Sequence, residues 1–88
     1  MHAIDPRELG KLRWRCRRGQ SELDELLRRY LDLEYGAASP QDQDAFRRLL
    51  ESPDAEIHAY CLGRLRPPTA ALAALIGRIT AGGAAGDR

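Results

Sequence analysis

The sequence has few of the residues that build metal sites or disulfide frameworks. Its 88 residues include two cysteines, Cys16 and Cys61, and two histidines, of which His58 has no second ligand at metal-binding spacing. Two cysteines this far apart do not suit a disulfide framework or a zinc site. We therefore expect no metal site, and we expect both cysteines to fill the core as small apolar groups in a reducing compartment.

Long hydrophobic runs are also absent. No apolar stretch approaches the roughly 20 residues that a membrane-spanning helix needs. The N-terminus has no hydrophobic signal core and carries acids within its first eight residues, which argues against secretion. The thirteen arginines against one lysine, together with many alanines, are typical of a GC-rich bacterial genome. We expect a protein of the bacterial cytoplasm without membrane insertion.

Catalytic and nucleotide-binding motifs are missing as well. The sequence has no glycine-rich phosphate loop after a strand. Ser21 and Ser39 have no histidine nearby in sequence and suit helix capping better than nucleophilic catalysis. We therefore predict no catalytic residues and a protein that is not an enzyme.

The apolar pattern is helical throughout. No segment alternates like a strand, whereas residues such as Leu23, Leu27 and Tyr30 recur at steps of three and four. Helix-start signals recur along the chain, at Asp5-Pro6, Ser21, Ser39-Pro40, Ser52-Pro53 and Pro67-Pro68-Thr69. This pattern predicts an all-α fold, a compact bundle of five short helices over residues 1–80. Residues 81–88 are rich in glycine and alanine and are expected to form a flexible tail.

The charges are strongly segregated along the chain. Residues 7–18 carry six basic side chains and one acid, whereas residues 22–56 carry ten acids and four arginines. A bipolar molecule suits a protein partner better than nucleic acid, because its acidic half repels a phosphate backbone. An alternative is that the basic helix binds nucleic acid, with Trp14 stacking on a base.

The segment between the first two predicted helices has the most distinctive sequence. Arg18, Gly19 and Glu22 form an Arg-Gly-x-x-Glu pattern there. Glycine can end the first helix in a left-handed conformation, and Ser21 can cap the second. We expect a tight corner with an exposed guanidinium on one side and a carboxylate on the other.

Trp14 departs from the apolar pattern of the first helix. At about 100° per residue it projects away from the face that carries Leu9, Leu12 and Cys16, towards the neighbouring arginines. One interpretation is that it covers the edge of the core or a neighbouring helix. The other is an exposed aromatic side chain beside arginines, a composition typical of binding hot spots.

The run of residues 14–24, Trp-Arg-Cys-Arg-Arg-Gly-Gln-Ser-Glu-Leu-Asp, resembles the signature of the SdhE family, the succinate dehydrogenase flavinylation factors. Residues 33–35, 44–51 and 53–54 continue the resemblance in order, so that it covers roughly residues 8–80. The resemblance implies a five-helix assembly chaperone with no cofactor of its own. It implies binding to the flavoprotein subunit of succinate dehydrogenase, in some bacteria also of fumarate reductase, and promotion of covalent FAD attachment to that client.

Carried over by motif, the resemblance implies that Arg17, Arg18, Gly19 and Glu22 bind the partner, and we add Trp14 to this set. We expect a monomer when the protein is free. Members of the family have also been described as antitoxins, so a regulatory protein-binding module is the alternative function. The sequence departs from the family pattern at Gln20, where many members have methionine.

Overall fold

The computed structural model describes residues 5–19 and 21–86, without the side chains of residues 21 and 82–86. It contains five α-helices: α1 (Pro6–Arg15), α2 (Ser21–Leu33), α3 (Pro40–Leu49), α4 (Asp54–Cys61) and α5 (Ala70–Gly86). A short 3₁₀ turn, Tyr35–Ala37, follows α2. The described residues contain no strand, so the prediction of an all-α bundle of five helices is confirmed.

Three of the helix starts follow the predicted capping chemistry, whereas α4 begins after Pro53 without a side-chain cap. Three cap side chains accept a hydrogen bond from a backbone N–H in the first turn: Asp5 from Arg7 (2.9 Å), Ser39 from Asp42 (3.2 Å) and Thr69 from Leu72 (3.1 Å). Such bonds satisfy amides that have no partner within the helix. Helix α2 begins at Ser21 itself, so Ser21 is its first residue and not the cap that the sequence predicted; the cap position falls on residue 20, which lies outside the described residues.

Helix α4 ends in a left-handed glycine. Gly63 has φ +74°; its N–H donates to the carbonyl of Tyr60 (3.1 Å), and the N–H of Arg64 donates to the carbonyl of Ala59 (2.9 Å). This pair of bonds is the Schellman motif, which satisfies the last carbonyls of a helix. The motif turns the chain sharply before the proline pair that leads into α5.

The core is built around one phenylalanine. Phe46 of α3 is fully buried, and its ring lies 4.9 Å from that of Tyr30 and 5.4 Å from that of Tyr35, measured between centroids. Tilted aromatic pairs at these distances add to the stabilisation from apolar burial. Cys16 is buried in the same core and Cys61 packs against it, as the sequence predicts. None of the helices in the described part of the chain is long and apolar enough to cross a membrane.

The expected boundary after residue 80 differs from the structure. Helix α5 continues for six residues beyond it, to Gly86. The reason is local: alanine has the highest intrinsic helix propensity, and the alanines here carry the helix past the paired glycines. The flexibility expected of this segment stays a prediction.

Two glycine substitutions are expected to change stability in opposite directions. Gly63→Ala places a side chain at a left-handed φ and should lower the free energy of unfolding by about 1 kcal/mol. Gly77→Ala, within α5, should raise it by roughly 0.5–1 kcal/mol through helix propensity. An added Cβ has open space at both positions, so urea titrations of the two variants isolate the backbone effect. A destabilised Gly77→Ala protein would contradict this account.

Candidate functional site

The corner between α1 and α2 is a short irregular segment that contains a left-handed glycine. Helix α1 ends at Arg15 with Cys16 as its C-cap, and Gly19, with φ +79°, lies three residues further on. The predicted left-handed conformation is confirmed, but Gly19 shapes the loop and does not end the helix. A Cβ at Gly19 would meet no atom within 4 Å, so the backbone here faces open space.

Asp24 fixes the main chain of this corner. Its carboxylate accepts hydrogen bonds from the N–H of Arg18 (2.6 Å) and the N–H of Gly19 (3.3 Å). Hydrogen bonds to an ionised carboxylate are shorter and stronger than those between neutral groups. Capping and periodicity rules do not reveal that Asp24 reaches back across the corner.

The Arg18 guanidinium is turned into the protein. It donates to the carbonyl of Ser52 (3.2 Å), to the carboxylate of Asp54 (3.2 Å) and to the carbonyl of Leu50. The side chain is 14% exposed, so the expectation of an exposed guanidinium is wrong. The cause is the loop between α3 and α4, where carbonyls beyond the helix end have no intrahelical donor and attract a cation.

Trp14 of α1 and Arg17, just beyond the end of that helix, lie together on the surface. The Trp14 side chain is 69% exposed, so the interpretation that it covers the edge of the core is wrong. The guanidinium carbon of Arg17, itself an exposed residue, lies 5.4 Å from the centroid of the Trp14 ring. This is the geometry of a cation–π interaction, and it orients both side chains on one surface.

Glu22 is exposed in the first turn of α2. Within the described part of the chain its carboxylate forms no salt bridge and accepts no side-chain hydrogen bond. The structure therefore divides the five predicted site residues. Four are exposed, namely Trp14, Arg17, Gly19 and Glu22, and we call them the corner surface. Arg18 is the one that points inward.

An open groove of about 330 Å³ adjoins the corner surface, between α1 and α2. It is lined by Arg13, Cys16, Arg17, Asp24, Glu25 and Arg28. Arg13 also forms a salt bridge with Asp32 (2.8 Å) across the two helices. No sequence pattern indicates Glu25 or Arg28 at this site, because their position depends on how α1 crosses α2.

Burial changes the acidity of the thiol that lines this groove. Desolvation raises the pKa of Cys16 from 9.0 to about 11, although the nearby Arg18 cation acts in the opposite direction. The same cause raises the pKa of Tyr30 to about 12. Both groups are therefore neutral in the folded protein at physiological pH.

Alkaline pH is expected to destabilise the fold through Cys16. Between pH 9 and about 11 the unfolded chain loses the thiol proton while the folded chain keeps it, so the free energy of unfolding falls as pH rises; below pH 9 the contribution is fully present. One proton corresponds to a slope of about 1.4 kcal/mol per pH unit. Urea titrations at several pH values should show a shallower fall for Cys16→Ala than for the wild type. Equal slopes would contradict a raised pKa.

Comparison with known proteins identifies relatives over most of the chain. The family described as "Sdh5: Flavinator of succinate dehydrogenase" matches residues 10–82. "FAD assembly factor SdhE" of Methylococcus capsulatus is 42% identical over 72 residues, which cover 82% of this chain and 87% of the relative. The protein of the same name from Xylella fastidiosa (strain 9a5c) is 42% identical over 77 residues, or 88% of this chain and 79% of the relative.

A third relative is more distant in identity and similar in extent. "FAD assembly factor SdhE" of Coxiella burnetii is 32% identical over 75 residues, which cover 85% of this chain and 92% of the relative. The family match over residues 10–82 includes the whole α1–α2 corner, and together with these relatives it confirms the resemblance that the sequence indicated. The chain belongs to the family of flavinators of succinate dehydrogenase.

Proposed function

We propose that this protein is an assembly chaperone that binds the flavoprotein subunit of succinate dehydrogenase and promotes covalent attachment of FAD to it. The observation that carries the proposal is the family match over residues 10–82, which includes the Arg-Gly-x-x-Glu corner. The relatives named as FAD assembly factors support this function over an antitoxin role. The flavoprotein subunit of fumarate reductase is a second client of the same proposal.

The proposed contribution to the reaction is positioning. Covalent flavinylation needs a histidine of the client close to the flavin and stabilisation of the negative charge that develops on the ring. Holding reacting groups in place lowers a barrier without any chemistry by the chaperone. We therefore propose that the protein is not an enzyme and carries no cofactor of its own, the FAD being bound by the client.

The corner surface has the properties of a docking site. Trp14 supplies a large apolar area beside the Arg17 cation, a combination enriched among binding hot spots. Gly19 has no side chain to hold a partner away, and its backbone faces open space. Glu22 presents a carboxylate that forms no salt bridge within the described residues, so it can pair with a cation of the client.

The charges of residues 7–18 support a protein partner and not nucleic acid. Arg13 pairs with Asp32, and Arg18 pairs with Asp54. Two of the six basic groups of residues 7–18 are therefore paired with carboxylates within the chain, which reduces the field available to phosphates.

We also propose that the free protein is a monomer of the bacterial cytoplasm. The core residues of the five helices are buried within a single chain, so folding does not need a second copy. The relatives named above come from bacteria.

Substitutions in the corner surface are expected to abolish client flavinylation. Gly19→Arg fills the open space that the client approaches, and Glu22→Ala removes the carboxylate. With either variant, in-gel flavin fluorescence of the succinate dehydrogenase flavoprotein subunit should fall to the level seen without the chaperone.

Matched controls come from the same protein. Gly77→Arg adds the same side chain at an exposed glycine of α5, and Glu34→Ala removes a carboxylate beyond the other end of α2. Both should support wild-type flavinylation. Full activity of Gly19→Arg or Glu22→Ala would overturn the proposed role of the corner.

Trp14 is expected to dominate the affinity for the client. Trp14→Ala should weaken binding of the purified flavoprotein subunit by about tenfold or more, as hot-spot aromatic residues do. Leu62→Ala removes another exposed apolar side chain, at the C-terminal end of α4, and should change the affinity less than about twofold. Isothermal titration calorimetry measures both, and equal effects would count against a localised hot spot.

A further inference from the structure

Arg18 joins two parts of the molecule that are far apart in sequence. Its backbone belongs to the α1–α2 corner, whereas its guanidinium lies among acceptors of the α3–α4 loop, 32 to 36 residues further along the chain. These acceptors are the carbonyls of Leu50 and Ser52 and the carboxylate of Asp54. No other described side chain in the corner donates to that loop.

The acceptors are themselves fixed by helix ends. Leu50 is the C-cap of α3 and Asp54 is the first residue of α4. A guanidinium carries several donors in one rigid plane and can bond two carbonyls and a carboxylate together. The Arg18 side chain therefore places the corner relative to α3 and α4, and the Asp24 carboxylate places it relative to α2.

The burial of Arg18 opposes direct contact with a partner. With its side chain 14% exposed, the guanidinium reaches the surface only by giving up its hydrogen bonds to the α3–α4 loop. That exchange would leave the Asp54 carboxylate without its cation, and losing a partner is costly for a half-buried charge.

We propose that Arg18 and Asp54 are positioning residues, which hold the Gly19 turn and Glu22 in the shape that the client recognises. The inference rests on the proposed function and deepens it: the client touches the corner surface, and the Arg18–Asp54 pair acts through it. Asp54 thereby gains a functional role although it lies in α4, outside the Arg-Gly-x-x-Glu pattern.

If Arg18 instead contacted the client directly, Asp54→Ala would have the opposite effect on the affinity. If Arg18 swings out to bind a client carboxylate, Asp54 competes with the client, and Asp54→Ala should leave the affinity unchanged or raise it. If Arg18 is a positioning residue, Asp54→Ala loosens the corner and should lower the affinity by about tenfold. The loosened loop must then become ordered on binding, and the entropy lost in doing so opposes binding.

The test measures binding of the purified succinate dehydrogenase flavoprotein subunit to the full chain at a temperature where every variant is folded. Glu56→Ala is the matched control, because it also removes a carboxylate from the first turn of α4 and its partner is Tyr60 (3.3 Å), not Arg18. We expect about tenfold weaker binding for Asp54→Ala and less than about twofold change for Glu56→Ala. The double variant Arg18→Ala/Asp54→Ala should bind no more weakly than Arg18→Ala alone, since both changes break one link.

Amide hydrogen exchange distinguishes local loosening of the corner from a general loss of stability, because only local loosening speeds exchange at the corner selectively. The amides of Arg18 and Gly19 bond to Asp24 and should exchange several-fold faster in Asp54→Ala. Core amides of α3 should exchange as in the wild type, and Glu56→Ala should leave the corner amides unchanged.

The outcomes separate this inference from the proposed function. Unchanged or tighter binding by Asp54→Ala, or equal weakening by Asp54→Ala and Glu56→Ala, overturns the positioning role. In either case, weak binding by Glu22→Ala would leave the proposed function standing. If the wild-type chain does not bind the flavoprotein subunit, the proposed function itself fails and this inference fails with it.

Discussion

The arrangement of the corner depends on one largely buried cation, the Arg18 guanidinium. It lies where the α1–α2 corner meets the end of α3 and the start of α4, and it neutralises Asp54 while satisfying two carbonyls. Without it, a carboxylate and two carbonyl oxygens would face one another with no donor between them, which is unfavourable for partly buried groups. The corner and the α3–α4 loop are therefore not free to move independently.

Because of this constraint, two neighbouring arginines have different roles. Arg17 and Arg18 are identical in chemistry, yet Arg17 lies over the Trp14 ring on the outside and Arg18 lies among backbone carbonyls on the inside. The inner residue fixes the loop, and the outer one is available to a partner. Gly19 follows them with a left-handed backbone, so the same short segment provides the anchor, the contact and the turn.

The features that sequence could predict are those determined locally. Helix periodicity, the caps at Asp5 and Ser39 and the positive φ of Gly19 depend on residues a few positions apart. The direction of Arg18 depends on acceptors 32 to 36 residues away, which periodicity and capping rules do not address. The fold class and the exposed part of the site were therefore predictable, whereas the inward arginine and the groove between α1 and α2 required the tertiary structure.

Some of the charges that are segregated along the sequence pair with one another in the folded protein. Part of the contrast between basic residues 7–18 and the acidic segment after them is used inside the chain, in the pairs Arg13–Asp32 and Arg18–Asp54. The corner surface keeps a cation, a carboxylate and an aromatic ring, a set of mixed sign. A polyanion binds best to a surface with excess positive charge. A folded protein binds best to a surface on which charges of both signs are suitably spaced around an apolar anchor. The ion pairs within the chain therefore favour recognition by shape over attraction by net charge. The fixed geometry of the corner is the feature that a protein client can recognise.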